Sequence, residues 1–235
     1  MNIEEVRDLS ASAPSLEILD ERIITCRACP RLVAWREEVA VTKRKSFIDQ
    51  PYWGKPVTGF GPPDAQVVIV GLAPAAHGGN RTGRIFTGDE SGNWLFASLH
   101  RVGLAKTAFS LDAADGQELL NTRLLAAVRC APPANAPTTI ERDTCAPWLA
   151  RELALLNQAL VYVALGAFAW DALLATFQEI PRPKPRFAHG ARVEFSDGRI
   201  LLGSYHPSQQ NTYTGRLTEV MLDQVLSSAA SQVNR

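Results

Sequence analysis

The sequence has no apolar run long enough to cross a membrane, and its first twenty residues lack the apolar core of an export signal. Internal repeats and long low-complexity segments are also absent. Of its 235 residues, 46% are hydrophobic and 20% charged, which suits a chain that buries one core. We therefore expect a single cytoplasmic domain over residues 1–235, unattached to any membrane, with residues 1–14 as a flexible tail.

A net charge is missing as well, because 24 basic residues balance 24 acidic ones. Composition therefore does not mark the chain as a nucleic-acid-binding protein. Two segments, 22–45 and 181–199, are nevertheless locally basic. On charge alone, we interpret both as ordinary solvated surface.

Cysteine is scarce: the chain has four, arranged as Cys26-x-x-Cys29 followed by Cys130 and Cys145. Four thiols are one complete tetrathiolate set, and a pair at this spacing can chelate one side of a metal or cluster. The spacing barely separates a tetrahedral zinc site from a cubane iron–sulfur cluster. The cysteines are also compatible with two disulfides, which need an oxidising compartment, and with four unrelated buried thiols.

Four short apolar runs have the pattern of buried strands, at residues 66–70, 124–128, 160–165 and 199–205. Helical patterns occupy residues 91–102, 139–156, 168–177 and 215–229, and also flank the first cysteine pair within residues 15–43. Ser91 is the expected N-cap of its helix, and Pro30 the expected start of another. This alternation predicts an α/β fold with a mainly parallel sheet covered on both faces.

Three loops follow predicted strands, at 71–90, 129–137 and 205–216. They should meet at the carboxyl edge of the sheet, where such folds bind ligands. The first is rich in Gly, Ala, Pro and Thr, and so long a loop is usually functional. It also carries Phe86, which offers a flat apolar face. The last contains His206, held by the following Pro207 and well placed to point a donor at a ligand.

Four stretches in these loops resemble one family. They read Gly-Leu-Ala-Pro-x-Ala-His-Gly from Gly71, Asn-Arg-Thr-Gly-Arg-x-Phe-Thr-Gly-Asp up to Asp89, Val-Arg-Cys-Ala-Pro-Pro-x-Asn up to Asn135, and His-Pro-Ser-x-x-Asn from His206. Together with the four cysteines, they are similar to the uracil-DNA glycosylase superfamily. Within it they resemble family 5, the type B enzymes of bacteria and archaea. The similarity runs from about Cys26 to Leu226.

The resemblance implies a three-layer α/β/α sandwich around a mainly parallel four-stranded sheet. It also implies a [4Fe–4S] cluster on Cys26, Cys29, Cys130 and Cys145, and so favours iron–sulfur over zinc. The implied reaction is hydrolysis of the N-glycosidic bond of a deaminated base flipped out of DNA. That reaction leaves an abasic site and is the first step of base excision repair.

The family motifs assign roles to particular residues. By resemblance, Phe86 stacks on the flipped base, His206 donates a hydrogen bond to the departing base, and Asn135 contacts the base or assists catalysis. The remaining pocket residues are Gly71, Leu72, Ala73, His77 and Ala126. The competing roles are ordinary ones, a loop anchor for Phe86 and a turn residue for Asn135.

Two departures from the superfamily pattern affect the mechanism. Most members place a water-activating residue in the first motif, where this chain, like family 5, has Leu72 and Ala73. Asp89 is the nearest carboxylate, and it either acts on water or the sugar or caps the following helix. Ala126 aligns with an Asn that reads the base in uracil-restricted relatives. Its loss predicts activity on uracil and also on hypoxanthine and xanthine.

DNA contacts are expected from polar residues of the same loops. Arg81, Arg84 and Arg216 are candidate phosphate contacts, although each is nearly as well explained as ordinary surface. Residues around the last motif should fill the gap left by the flipped base: Ser208, Gln209, Gln210 and Asn211. We expect a monomer that binds DNA containing uracil or other deaminated bases.

Three different functions compete with this interpretation. A non-catalytic nucleic-acid-binding module with a tetrathiolate metal would explain the missing general base, but it would not need His206 or Phe86. A uracil-restricted family 4 glycosylase fits less well, because of Ala126 and the Gly-Leu-Ala-Pro start. An iron–sulfur oxidoreductase is the weakest of the three, since no nucleotide or flavin fingerprint occurs.

Overall fold

A five-stranded sheet forms the centre of the molecule in the computed structural model, which describes residues 1–177 and 179–233. The strands are β1 (Val67–Gly71), β2 (Thr122–Ala126), β3 (Val161–Leu165), β4 (Arg192–Glu194) and β5 (Ile200–Ser204). Their order across the sheet is β2-β1-β3-β5-β4. The pairs β1–β2, β1–β3 and β3–β5 are parallel, which confirms the mainly parallel sheet.

The fifth strand corrects the expected count of four. Strand β4 is a short edge strand that pairs antiparallel with β5, with Arg192 opposite Leu202 and Glu194 opposite Ile200. Its two charged side chains are exposed, so it lacks the apolar run by which the other strands were identified.

Nine helices lie among the described residues. They are α1 (Ile3–Ala11), α2 (Leu16–Ile24), α3 (Pro30–Thr42), α4 (Gly79–Thr82), α5 (Glu90–Arg101), α6 (Thr139–Leu155), α7 (Ala167–Leu174), α8 (Gln209–Tyr213) and α9 (Glu219–Val233). Pro30 is the first residue of α3, as predicted. No helix within the described ranges combines the length and the apolar character that a bilayer crossing requires.

Strand side chains alternate between two apolar cores. Val67 and Ile69 point to one face, where the core includes residues of α5 and α9. Val68 and Val70 point to the other, where it includes residues of α6 and α7. Both faces of the sheet are therefore covered, and the three-layer α/β/α prediction is confirmed.

Residues 3–11 correct the prediction of a flexible tail. Helix α1 begins with a capping box between Asn2 and Glu5, and Val6 is completely buried. The helix packs against α6. The Arg22 guanidinium also donates a hydrogen bond to the Leu9 carbonyl. The N-terminal segment is therefore part of the folded structure.

Two local predictions around the first loop also change. The loop after β1 is not wholly irregular, because it contains the single turn of α4. Helix α5 is capped by Asp89 and not by Ser91: the Asp89 carboxylate accepts the Gly92 N–H at 2.9 Å.

Candidate functional site

The ends of β1 and β2 lie side by side at the carboxyl edge of the sheet. Gly71 and Ala126 are paired neighbours in these two strands, and Ala126 is 2% exposed. The Phe86 ring lies directly on Gly71, since a Cβ added there would be 2.4 Å from Phe86 Cζ. A residue larger than glycine would therefore displace the ring.

Phe86 adopts a backbone conformation that non-glycine residues seldom use. Its φ is +52°, and its side chain is 6% exposed. Such conformations occur mostly at functional sites, where the surroundings hold the backbone in place. Here the strain aims an aromatic ring at the strand end.

His206 faces Phe86 from the opposite side of the same edge. It follows β5, and its ring centroid lies 6.0 Å from that of Phe86, at an interplanar angle of 33°. The Asn211 side-chain amide donates to the His206 carbonyl at 2.9 Å and so fixes the loop. Burial lowers the pKa of His206 to about 4, which keeps the imidazole neutral near pH 7.

Asp89 has two oxygens with different surroundings. Oδ1 accepts the Gly92 N–H, while Oδ2 lies where a Cβ on Gly78 would approach within 1.9 Å. Burial raises the pKa of this carboxyl from its ordinary value. One oxygen thus caps α5 and the other faces the loop after β1, so the two roles predicted for Asp89 are geometrically compatible.

Asn135 sits at the end of a 3₁₀ turn, Pro133–Asn135, beyond β2. Ala134 and Asn135 both have left-handed backbone, with φ of +53° and +54°. Asn135 is exposed, and its side chain makes no hydrogen bond to any residue in the described ranges. The amide is therefore available to a ligand.

The other predicted pocket residues have partners in the surrounding loops. The Leu72 carbonyl accepts the Val128 N–H at 3.0 Å and extends the strand pairing. Ala73 packs beside the cluster of Cys29 and Cys130. His77 pairs with Tyr52, whose hydroxyl is 3.0 Å from Nδ1.

A cleft next to Asp89 is a feature that the sequence analysis missed. It has a volume of about 750 Å³, and one wall carries the aromatic residues Phe47, Tyr52 and Trp53. Tyr52 and Trp53 belong to residues 50–64, a segment rich in Pro, Gly and aromatic residues whose composition indicates only a loop, and Phe47 lies just before it. The signal available in the sequence was its unusual density of aromatic residues.

Arg81 and Arg84 are not placed as phosphate contacts. Arg81 is 8% exposed and donates to the carbonyls of His77 and Gly88 at 2.7 and 2.9 Å. Arg84 is 7% exposed and pairs with Asp115 at 2.6 Å. Both guanidiniums hold loops together, which corrects the expectation that they contact DNA.

The remaining predicted DNA contacts differ in exposure. Gln209, Gln210 and Arg216 are exposed, and the Arg216 guanidinium lies 4.5 Å from the Tyr205 ring centroid. Ser208 is half-buried at the start of α8. Asn211 is also half-buried, and its side chain supports the loop of His206.

The four cysteines meet at a second site. All are free thiols, and all line one small, mainly apolar cavity together with Arg129 and Trp148. The fold therefore brings the two distant pairs together as predicted. Burial raises the pKa of Cys29 to about 12 and that of Cys130 to about 11. Without a bound cation, these thiols would remain protonated.

Arg36 indicates that this cavity carries negative charge when filled. Its guanidinium is 2% exposed and donates to Cys130 Sγ at 2.9 Å and to the Cys26 carbonyl at 3.1 Å. The carboxylate of Glu37 lies 3.9 Å away, too far for a hydrogen bond. This long ion pair with a carboxylate that is 44% exposed compensates the buried guanidinium only weakly, so thiolates held by a metal group would add a closer anionic partner.

Orphaned donors around the cavity support the same conclusion. Among the described residues, no acceptor is found for Arg36 Nε, Arg129 Nε and Nη1, or Trp148 Nε1. Buried N–H groups usually have partners. A group held by thiolates that also presents its own acceptor atoms fits these residues, and the inorganic sulfides of an iron–sulfur cluster are such acceptors.

The thiols are not grouped around one point as the ligands of a single bound ion are. Within the described ranges, no three His, Cys, Asp or Glu side chains are grouped closely enough to hold one ion. Around a tetrahedral zinc with Zn–S bonds of about 2.3 Å, the sulfurs lie about 3.8 Å apart. A cluster of several irons binds sulfurs that are spread more widely.

Comparison with known proteins gives one consistent result. The profile of the Uracil DNA glycosylase superfamily matches residues 58–230. The chain is 55% identical over 222 residues to the Type-5 uracil-DNA glycosylase of Mycobacterium leprae, covering 94% of this chain and 97% of the relative. It is 52% identical over 213 residues to the Type-5 enzyme of Thermus thermophilus, covering 91% and 96%.

A Type-4 relative is more distant. The Type-4 uracil-DNA glycosylase of Thermotoga maritima is 27% identical over 194 residues, covering 82% of this chain and 81% of the relative. The Type-5 relatives therefore share about twice as much identity with this chain.

Proposed function

Because this chain belongs to the uracil DNA glycosylase superfamily, we propose that it is a DNA repair enzyme that hydrolyses the N-glycosidic bond of uracil in DNA. The observation that carries the proposal is the convergence of Phe86, Gly71, Ala126 and His206 at one edge of the sheet. We infer that these residues supply an aromatic face, two small residues and a hydrogen-bond donor at one place, where the target base would bind.

The reaction begins when the target nucleotide leaves the duplex, because its glycosidic bond is inaccessible inside the stack. The base then stacks on the Phe86 ring, which itself rests on Gly71 at the end of β1. Gln209 and Gln210 are exposed beside this pocket and would contact the bases around the vacated position.

Breaking the bond leaves negative charge on the base and positive charge on the sugar. A neutral His206 imidazole stabilises the base anion by donating a hydrogen bond to its oxygen. A neutral donor suits this task because it does not have to lose a proton to the departing base. The exposed Asn135 amide is the second candidate for base contact.

We assign water activation to the second oxygen of Asp89. A carboxylate whose pKa is raised by burial is a better proton acceptor than an exposed one. The same negative charge stabilises the positive sugar. No residue of the Leu72–Ala73 stretch can accept a proton, so Asp89 replaces the general base of other superfamily members.

We further propose that hypoxanthine and xanthine are substrates. Ala126 occupies the position beside Gly71 and has no amide with which to select one base edge. The matching experiment compares single-turnover cleavage of deoxyuridine and deoxyinosine by the wild type and by Ala126→Asn. We expect the variant to lose activity on deoxyinosine at least tenfold more than on deoxyuridine, and equal losses would contradict the assignment.

We propose a [4Fe–4S] cluster on Cys26, Cys29, Cys130 and Cys145. When bound, it supplies structural cross-linking, since glycosidic hydrolysis involves no electron transfer. The buried Arg36, which donates to Cys130 Sγ, and the orphaned donors around the cavity support this cofactor.

The cofactor is tested by iron and sulfide analysis of protein purified without oxygen. We expect about four of each per chain, and less than half of that in Arg36→Met, which removes the buried positive charge. Arg27→Met changes an exposed arginine of the same segment and should keep full content. Zinc without iron in the wild type would overturn the proposal.

We propose that the protein acts on DNA as a monomer in the cytoplasm. The function itself is tested by incubating duplexes with one deoxyuridine and then cleaving abasic sites in hot alkali. We expect strand cleavage by the wild type and a large loss in His206→Gln. DNA binding without cleavage would instead support a non-catalytic binding module, and cleavage restricted to uracil would support Type-4 selectivity.

A further inference from the structure

The turn that carries Asn135 needs external support. Ala134 and Asn135 both occupy left-handed backbone, a conformation that asparagine tolerates but alanine seldom adopts. Both are exposed, so burial does not hold them. Two backbone bonds close the turn, from Asn135 N–H to the Pro132 carbonyl and from Ala136 N–H to that of Pro133.

Arg31 supplies a tether to this turn from another part of the chain. It lies in the first turn of α3, two residues after Cys29. Its Nη2 donates to the Ala136 carbonyl at 3.1 Å, directly after Asn135. The same side chain makes a two-pronged contact with Glu141, with Nε–Oε1 at 2.8 Å and Nη2–Oε2 at 2.7 Å.

Glu141 anchors the other end of the turn. Its Oε2 accepts the Thr138 N–H at 2.8 Å, and Thr138 in return caps α6. The Glu141 side chain is 9% exposed and the Arg31 side chain 44%, so the carboxylate is shielded while the guanidinium reaches it from the surface. Cys145 lies one helical turn further along the same face of α6.

We propose that Arg31 is a positioning residue for Asn135. By joining the start of α3 to Glu141 and the Ala136 carbonyl, it holds the left-handed turn in the conformation that presents the amide to the base. Because Cys29 lies close to Arg31 in the chain and Cys145 close to Glu141, the Arg31–Glu141 contact also links the cysteine cavity to the pocket. The catalytic part of this inference rests on the proposed function.

The experiment measures single-turnover uracil release by Arg31→Gln and Glu141→Gln. We expect each rate to fall about tenfold to a hundredfold, because small displacements of a catalytic group have effects of this size. Affinity for an uncleavable 2′-fluorodeoxyuridine duplex should change less than threefold, and iron content should be unchanged. Arg31→Lys should recover part of the rate, since lysine keeps the charge but not the fork.

Arg27→Gln is the matched control. Arg27 belongs to the same segment and forms a comparable fork with Glu37, but it does not contact the turn. Its variant should keep the wild-type rate within twofold. An equal loss in Arg27→Gln would show that any arginine of this segment matters, which would overturn the positioning role.

A double variant tests whether Arg31 acts through Asn135. If it does, Arg31→Gln should reduce the rate of Asn135→Ala by less than twofold, and an independent full loss would contradict the proposal. Hydrogen exchange of the Asn135 and Ala136 amides gives a readout without activity, and it should accelerate in Arg31→Gln and Glu141→Gln but not in Arg27→Gln. Unchanged exchange would refute the tether, whereas a wild type without glycosylase activity would refute only the proposed function.

Discussion

His206 is the residue whose ionisation decides how the departing base is stabilised. Because burial lowers its pKa to about 4, the neutral ring is the active form. We expect the single-turnover rate to show no decrease between pH 6 and 8 that depends on His206. His206→Gln should lower the rate by roughly 10²–10³-fold, the usual loss for one donor to a developing anion.

A different profile would contradict this description. If the rate falls as the pH rises through an apparent pKa near 6.5, and His206→Gln abolishes this pH dependence, the charged imidazolium would be the donor. Stability gives a second check, since the unfolded chain binds the proton near pH 6.5 and the folded chain only near 4. The free energy of unfolding should therefore fall as pH drops across this window, by at most roughly 3 kcal/mol for this residue.

Two substitutions of Asp89 can separate its role as a helix cap from its proposed role in catalysis. Asp89→Ser keeps a side-chain oxygen for the Gly92 N–H but removes the carboxylate facing Gly78. We expect urea unfolding close to that of the wild type and a single-turnover rate reduced at least a hundredfold. Asp89→Ala should show the same rate loss and an additional stability loss of about 1 kcal/mol. Full activity in Asp89→Ser would leave Asp89 as a helix cap only.

The sequence predicted which residues lie near the pocket better than it predicted their hydrogen-bond and ion-pair partners. Arg81 and Arg84 look like DNA contacts in sequence because basic residues beside a functional loop usually are. Their buried partners, Gly88 and Asp115, depend on how the loop folds back on itself. Such contacts cannot be read from local patterns.

At the scale of secondary structure, the N-terminal helix α1 gives the clearest test of whether residues 3–11 are part of the folded structure. Val6→Ala should lower the free energy of unfolding by about 1–3 kcal/mol, because this side chain is fully buried where α1 packs against α6. Val41→Ala is the control, since Val41 is 80% exposed and its truncation should cost less than about 0.5 kcal/mol. Equal urea midpoints for the two variants would indicate that residues 3–11 are a flexible tail, as the sequence predicted.

The strands that the sequence predicted share one physical property, which is burial. Strands β1, β2, β3 and β5 are buried on both faces, so they appear as continuous apolar runs. Strand β4 is an exposed edge and α4 a single turn, and neither has enough residues to show a periodic pattern. Helix α1 was missed because its acidic, polar composition conceals one buried side, which is defined only by contact with α6.

At the scale of the whole molecule, the sheet brings three loops distant in sequence to one edge. The prediction of a mainly parallel sheet was sufficient to place the loops of Phe86 and His206 at the same edge. The same topology explains the cysteine cavity, where Cys130 lies shortly after β2 and Cys145 on α6. The closing of that cavity by α3 could not be derived from strand order, because it depends on the Arg31–Glu141 and Arg36–Cys130 contacts.

Zero net charge has a consequence at this scale too. The molecule as a whole therefore exerts no net long-range attraction on the DNA backbone, and any phosphate contacts must come from locally basic segments such as residues 22–45.

The most direct measurement of the central claim is chromatographic detection of the free base released from a deoxyuridine duplex under single-turnover conditions. The wild type should release one uracil per lesion and leave an intact strand with an abasic site, while His206→Gln and Asp89→Ser release it at least a hundredfold more slowly. Wild-type protein with full iron content that binds the duplex but releases no uracil would contradict the claim.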